Sequence, residues 1–333
     1  MRAALCPAGE QAMMQFNPLN LTTMFAALFI CSGANAANKT GVTDFLSEGE
    51  KSVDISYSTM NASLLSGASP STINNGTAIA PLTGSITQST LQASLNFGVT
   101  DKTNVKISYG FQNTVQELDY TFSPNSYTNS AKWQGTTDPE ICIQYLLADK
   151  KKSGIGAILY GAVSPAASPS EPPRAEIMIN GSITSRGANG GVGNGYTASR
   201  IGSTISFPVY VGNAFYNVEY IYSFVTSIPA EHGTAAALTF GYEQYLSDSV
   251  TLRPYIRASA IGSSFNGQDQ SASYSKYDVG AYLIGDITRR FSLELMGQYS
   301  TLNNEVINYP NGNMLTLATN AYKLGLQGIF FFH

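Results

Sequence analysis

Histidine is the side chain most often asked to move a proton at neutral pH, and this chain of 333 residues has two, His232 and His333. His232 lies in "PAEHGTAA" beside Glu231. General-base catalysis needs the imidazole within reach of a nucleophile and an orienting group, yet sequence neighbours on a strand point to opposite faces. No H-x-S pattern follows His232, and His333 is terminal. The glycine-rich "GANGGVGNG" lacks the following Lys-Ser/Thr of a phosphate-cradling loop. No His/Cys cluster has metal-ligand spacing. The expectation is no catalytic residue, no metal and no cofactor; a rim enzyme built on His232 is the weakest of three readings.

The remaining chemistry is electrostatic. Asp54, Lys106, Arg200, Glu219, Glu243, Arg253, Arg257, Asp278, Glu294 and Lys323 each sit on the polar parity of a segment that alternates apolar and polar residues. Five are acids and five are bases, a balance that does not favour one ion sign. Arg253 and Arg257 share a face about 13 Å apart at ~3.3 Å per residue. Opposed to Glu219, Glu243 and Glu294, they would form a charged constriction in a lumen. Mutual salt-bridging that fills the same lumen is the plainer alternative.

These residues are positioned by strands. Leu91, Ala93, Leu95, Phe97 and Val99 alternate with Gln92, Ser94 and Asn96, and Tyr322, Leu324, Leu326, Phe330 and Phe332 alternate with Lys323 and Gln327. A period of two marks a strand whose faces meet different solvents. Twelve such segments occur. Their connections alternate between five short turns, centred near Lys102, Lys151, Asn213, Asp248 and Thr288, and six longer ones at 62–84, 119–139, 164–196, 226–235, 262–274 and 302–318. Even strand number with short turns at one end and long loops at the other is the pattern of outer-membrane barrels. Phe97, Tyr145, Tyr210, Phe215, Tyr245, Phe291 and Phe332 near the short turns read as an interfacial girdle. The fold expected is all-β: a transmembrane, antiparallel up-and-down β-barrel of about twelve strands.

The segment 164–196 leaves three readings open: a gate folded into the barrel, an extra strand pair giving fourteen strands, or an ordinary surface loop. Long loops of this kind are usually functional or disordered.

Composition agrees with a β-barrel. Charged residues are 12%, against roughly 25% in ordinary soluble domains, while Tyr numbers 20 and Phe 16. The net charge of −4 gives no basic footprint for nucleic acid. From Met14, an apolar core at Met24–Cys31 leads to Ala34-Asn35-Ala36, the secretory signal pattern; the start would be Met1, Met13 or Met14. Residues 1–36 are then a signal peptide and 37–333 the barrel. Cleavage leaves Cys142 as the only cysteine, which excludes an intrachain disulfide. No run of 18 apolar residues exists for a membrane helix. The stretch 37–51 is too short for a plug domain, so energy coupling is not expected.

Two stretches carry a family resemblance. "NFGVTDKTNVKISYGF" and "GTTDPEICIQYLLADKKKSGIGAILYGAVSPA" resemble hairpins of the barrel group associated with meta-pathway phenol degradation, with a weaker echo at "GYEQYLSDSVTLRPYIRASA". The resemblance implies an outer-membrane barrel moving small hydrophobic or aromatic compounds, and carries no catalytic residue. The aromatic C-terminal strand resembles the signature read by the barrel-assembly machinery, although His333 follows Phe332. The partners expected are outer-membrane lipid and lipopolysaccharide, that machinery, and small-molecule solutes. The reading is passive solute passage in the outer membrane of a Gram-negative bacterium; the alternative is a filled structural or adhesion barrel acting through its outer loops.

Overall fold

A computed structural model describes residues 41–67, 83–122, 125–169, 174, 176–192, 197–224, 234–262, 264–265, 270–271, 274–308 and 314–332. The expected signal peptide and both histidines lie outside them. The strands are β1 (Lys51–Gly67), β2 (Thr83–Thr100), β3 (Thr103–Phe122), β4 (Asn125–Thr136), β5 (Glu140–Ala148), β6 (Gly156–Ser164), β7 (Glu176–Ile179), β8 (Ser182–Ser185), β9 (Thr197–Val209), β10 (Gly212–Phe224), β11 (Ala235–Ser247), β12 (Val250–Ile261), β13 (Ser264–Phe265), β14 (Gln270–Ser271), β15 (Tyr274–Thr288), β16 (Phe291–Asn308) and β17 (Met314–Phe332). A four-residue helix, α1 (Lys150–Ser153), fills the turn between β5 and β6.

These strands occupy twelve positions round one closed antiparallel sheet. Closure is made by β1, which pairs with β2 on one side and with β17 on the other, Lys51 opposite Phe332 and Gly67 opposite Thr316. No edge is left unpaired there, which is what a hydrocarbon surround requires. β4 and β5 share the fourth position. β3 pairs with β5 over Thr103–Ser108 and with β4 over Phe111–Phe122, and the stave breaks at Thr137-Asp138-Pro139. Proline lacks the N–H a ladder needs, and the Asp138 carboxylate instead accepts from the N–H groups of Ala167 and Ser168 at 2.9 and 2.8 Å.

Three details differ from the sequence expectation. Much of 119–139, expected as a loop, is a hairpin of β3 and β4. "NSYTNSAKWQGT" has no apolar alternation because both faces of this extension are polar, so the period-two signal vanishes. The segment 164–196 does hold an extra strand pair, β7 and β8 about Asn180-Gly181, but it docks on β4 and adds no stave. The turn expected at Gly212-Asn213 falls two residues earlier. Tyr210 and Val211 form it, with Tyr210 at φ 51°, while Gly212 already pairs with Val209.

The two faces of the sheet divide cleanly. Ile55, Leu95, Ile143, Val218, Ile256 and Leu324 are exposed on one. Ser52, Asp54, Ser94, Ser108, Glu219, Glu243 and Asp278 are buried on the other. An apolar belt of this extent would be a liability in water and is the normal outer surface of a membrane barrel.

Candidate functional site: an ion-paired lumen with a strap at its short-turn end

Cross-strand register fixes which residues share the inner face. Arg257 opposes Asp278, Glu219 opposes Gly202 and Ala237, Asn213 opposes Glu243, and Lys323 opposes Gln298. All nine expected lumen residues, and Asp54, fall on that face. Their partners are specific. Arg200 donates to Glu140 at 2.6 Å and to Glu219 at 3.2 Å, and Arg257 reaches the other Glu219 oxygen at 2.9 Å. The chain Glu140–Arg200–Glu219–Arg257 therefore runs from the fourth to the ninth position of the wall. Tyr160 donates to Glu219 at 3.0 Å and accepts from Asn217.

Glu243, fully buried, accepts from Arg253 at 3.0 Å and lies 3.5 Å from the Lys150 ammonium. Asp54 pairs with Lys106 at 3.2 Å, with the Asn96 amide donating to the same carboxylate. Lys276 pairs with Asp278 at 3.3 Å. Glu294 and Lys323 have no ion-pair partner among the described residues.

Glu140 and Lys276 are members of this network that the sequence pattern missed. Both sit at strand starts next to expected loops, and their even numbers, shared with Cys142 on β5 and Asp278 on β15, were the available signal. Phe215 is a correction of another kind: expected in the outer girdle, it is buried on the inner face. Its odd number, shared with Glu219 on β10, was the available signal.

A cavity of about 630 Å³ lies along β10–β12 and β15–β17. Four cations (Arg253, Arg257, Lys276, Lys323) line it against two acids, Asp278 and Glu294. The balanced set in the sequence thus becomes unequal at the cavity surface, because Glu219 and Glu243 do not line it.

Residues 41–50 cross the short-turn end of the barrel. Val42 N–H donates to Glu243 at 2.7 Å, and the Thr43 and Ser206 hydroxyls meet at 2.6 Å. On the far side, the Asn104 amide, oriented to satisfy both, bridges the Leu46 N–H and C=O at 3.1 Å. Gly98 N–H donates to the Glu50 carbonyl and Gly49 N–H to the Gly98 carbonyl. β11 and β2, which hold the two ends, are opposite positions in the ring of twelve. The approach is close enough to need glycine: a Cβ at Gly156 would stand 2.1 Å from Thr43 Oγ1, and one at Gly98 1.9 Å from the Ser47 carbonyl. Too short for a domain, the segment is still long enough to be a strap. Beneath it a second cavity of about 400 Å³ is lined by Asp54, Lys106, Arg253 and Glu294.

Burial pushes the Asp44 carboxyl above the ordinary carboxylate range. The Gly41 N–H and the Lys150 and Lys151 ammoniums pull against that shift, and Glu243 adds to it. For Lys150, burial works to lower the ammonium's value, but Glu243, Tyr245 and Asp44 outweigh it and hold it above the usual range.

Geometry of this kind defines a class: a closed, twelve-stranded antiparallel transmembrane β-barrel. An outer-membrane channel from Pseudomonas putida has a similar fold, at TM-score 0.51 and 10% identity, over 88% of this chain and 99% of that one. A Pseudomonas aeruginosa FadL homologue aligns over 90% and 96% at TM-score 0.48 and 10% identity. The Pseudomonas putida toluene transporter TodX aligns over 90% and 95% at TM-score 0.47 and 9% identity. No protein-family model matches the chain, and no curated protein matches its sequence.

Proposed function

We propose that this barrel is a channel of the Gram-negative outer membrane for passive passage of small solutes, hydrophobic or aromatic ones among them. The observation that carries the reading is a closed barrel whose apolar belt faces outward and whose ion-paired inner face surrounds cavities rather than a packed apolar core. The short-turn end is then periplasmic, lipid and lipopolysaccharide cover the belt, and β17 is the strand offered to the assembly machinery. Arg253 and Arg257 opposed to Glu219, Glu243 and Glu294 are the charged constriction, Glu294 being the one of these acids that lines the cavity. The aromatic preference is supported by the hairpins resembling the phenol-degradation group, together with Phe215, Tyr255 and Tyr282 in the cavity wall.

Swelling of liposomes holding the refolded mature chain, in sugars and aromatic acids of graded size, tests the reading. Passage requires size-dependent swelling. One observation favours the second reading, a filled barrel acting through its outer loops: the strap is seated by buried hydrogen bonds. That reading requires no swelling and loss of function on loop deletion alone.

A further inference from the structure

One register row of the cavity is left uncommitted by the ion pairs. Phe215, Gly241, Tyr255, Gly280, Gln298 and Lys323 are successive cross-strand neighbours over six staves. Both glycines lie beneath a neighbouring ring. A Cβ at Gly241 would stand 2.3 Å from Phe215 Cζ, and one at Gly280 2.7 Å from Tyr255 Cζ. The rings therefore lie along the wall and leave the space in front of them open. Tyr255 donates to Gln298 Oε1 at 2.8 Å and stacks on Tyr282 at 5.5 Å. The Gln298 amide donates to Asp278 and Ser300.

Lys323 closes the row without an acid. Asp278 is held by Lys276, Glu219 by Arg200 and Arg257, and Glu243 by Arg253 and Lys150. Glu294 is four residues from Gln298 along β16, ~13 Å at ~3.3 Å per residue. An aromatic floor thus ends at an ammonium with three donors and no carboxylate within ion-pair distance among the described residues; Asp278, the acid that acts on it from farther off, is already held by Lys276.

We propose that this row binds a small aromatic carboxylate, its ring over Tyr255 and Gly280 and its carboxylate on Lys323. The proposal rests on the passage reading and adds which solutes the lumen retains. The chemistry is a charge-assisted hydrogen bond at a half-buried site, with ring contact supplying the apolar part.

Calorimetric titration of the refolded mature chain in detergent with benzoate and with benzamide tests it. Benzoate is expected to bind about tenfold tighter, the worth of one charged hydrogen bond. Lys323→Gln should bring the two ligands level, Lys323→Arg should keep the preference, and Tyr255→Leu should weaken both. Each variant is first shown to be folded by its heat-modifiable mobility. Equal binding by the unaltered chain, or a preference surviving Lys323→Gln, overturns the site. Sugar flux in liposomes separates the two claims: flux without a benzoate preference sinks the site alone, and benzoate binding without flux sinks the passage reading alone.

Discussion

Two arcs of the wall are built on opposite plans. On β1–β3 the inner face includes Ser52, Ser56, Ser58, Thr90, Gln92, Ser94, Asn96, Ser108 and Gln112, with one ion pair among the described residues, Asp54–Lys106. On β9–β12 and β15 it carries Arg200, Glu219, Glu243, Arg253, Arg257, Lys276 and Asp278, all seven paired. The arcs differ in height too. β1, β2 and β3 have 17, 18 and 20 residues, whereas β9–β11 have 13 and β12 has 12. Small hydroxyls and amides hydrogen-bond locally and tolerate substitution. Buried charges hold one another in fixed geometry, and removal of either partner strands the other. The charged arc therefore sets the shape of the lumen, and the small-polar arc leaves it room.

The largest effect expected from breaking this contrast is at Glu243. Its carboxylate serves Arg253, Lys150 and the Val42 N–H at once, so Glu243→Ala should cost about 3–5 kcal/mol of barrel stability in denaturant unfolding. Asp54→Asn in the other arc should cost only about 1–2 kcal/mol. Equal losses would end the claim that the arcs differ. Next, Arg253→Gln with Arg257→Gln should change ion selectivity in planar bilayers, whereas Ser94→Ala with Ser108→Ala should not. Unchanged selectivity in the arginine pair removes it from the pathway.

A smaller effect concerns the strap. Because the folded Asp44 carboxyl titrates above its unfolded value, its contribution to seating is full below the ordinary carboxyl range, about 4, and is lost as pH rises through the raised value. The hydrogen-exchange protection factors of Val42 and Leu46, the intrinsic rate at each pH divided by the observed rate, should rise on acidification from neutral pH, and Asp44→Asn should flatten that trend. Protection that rises with pH instead would reverse the sign of the account. The smallest effect is at the β9–β10 turn, where Tyr210→Gly relieves a left-handed tyrosine and should stabilise the barrel by about 1 kcal/mol, read by the unfolding midpoint.

The staves and their inner residues were legible because lipid on one face and water on the other impose a strict period of two. Where that contrast ends, legibility ends. β4 has two polar faces and read as a loop, and β7 and β8 are four residues each. Glu140, the first residue of β5 after the break at Pro139, shares its even number with Cys142 on the inner face, so its parity was legible once the strand was extended by one residue. The strap was invisible for a different reason. Its partners, Ser206, Glu243 and Asn104, are 54 or more residues away in sequence, and "GVTDFLSEGE" has neither a strand nor a helix period to announce where it goes.

Liposome swelling with and without residues 41–50 tests the central claim most directly. The account predicts size-dependent swelling by the refolded mature barrel, faster once the strap is removed. A barrel shown to be folded that gives no swelling in either form would contradict it, and would mean that the paired charges fill the lumen rather than line a path through it.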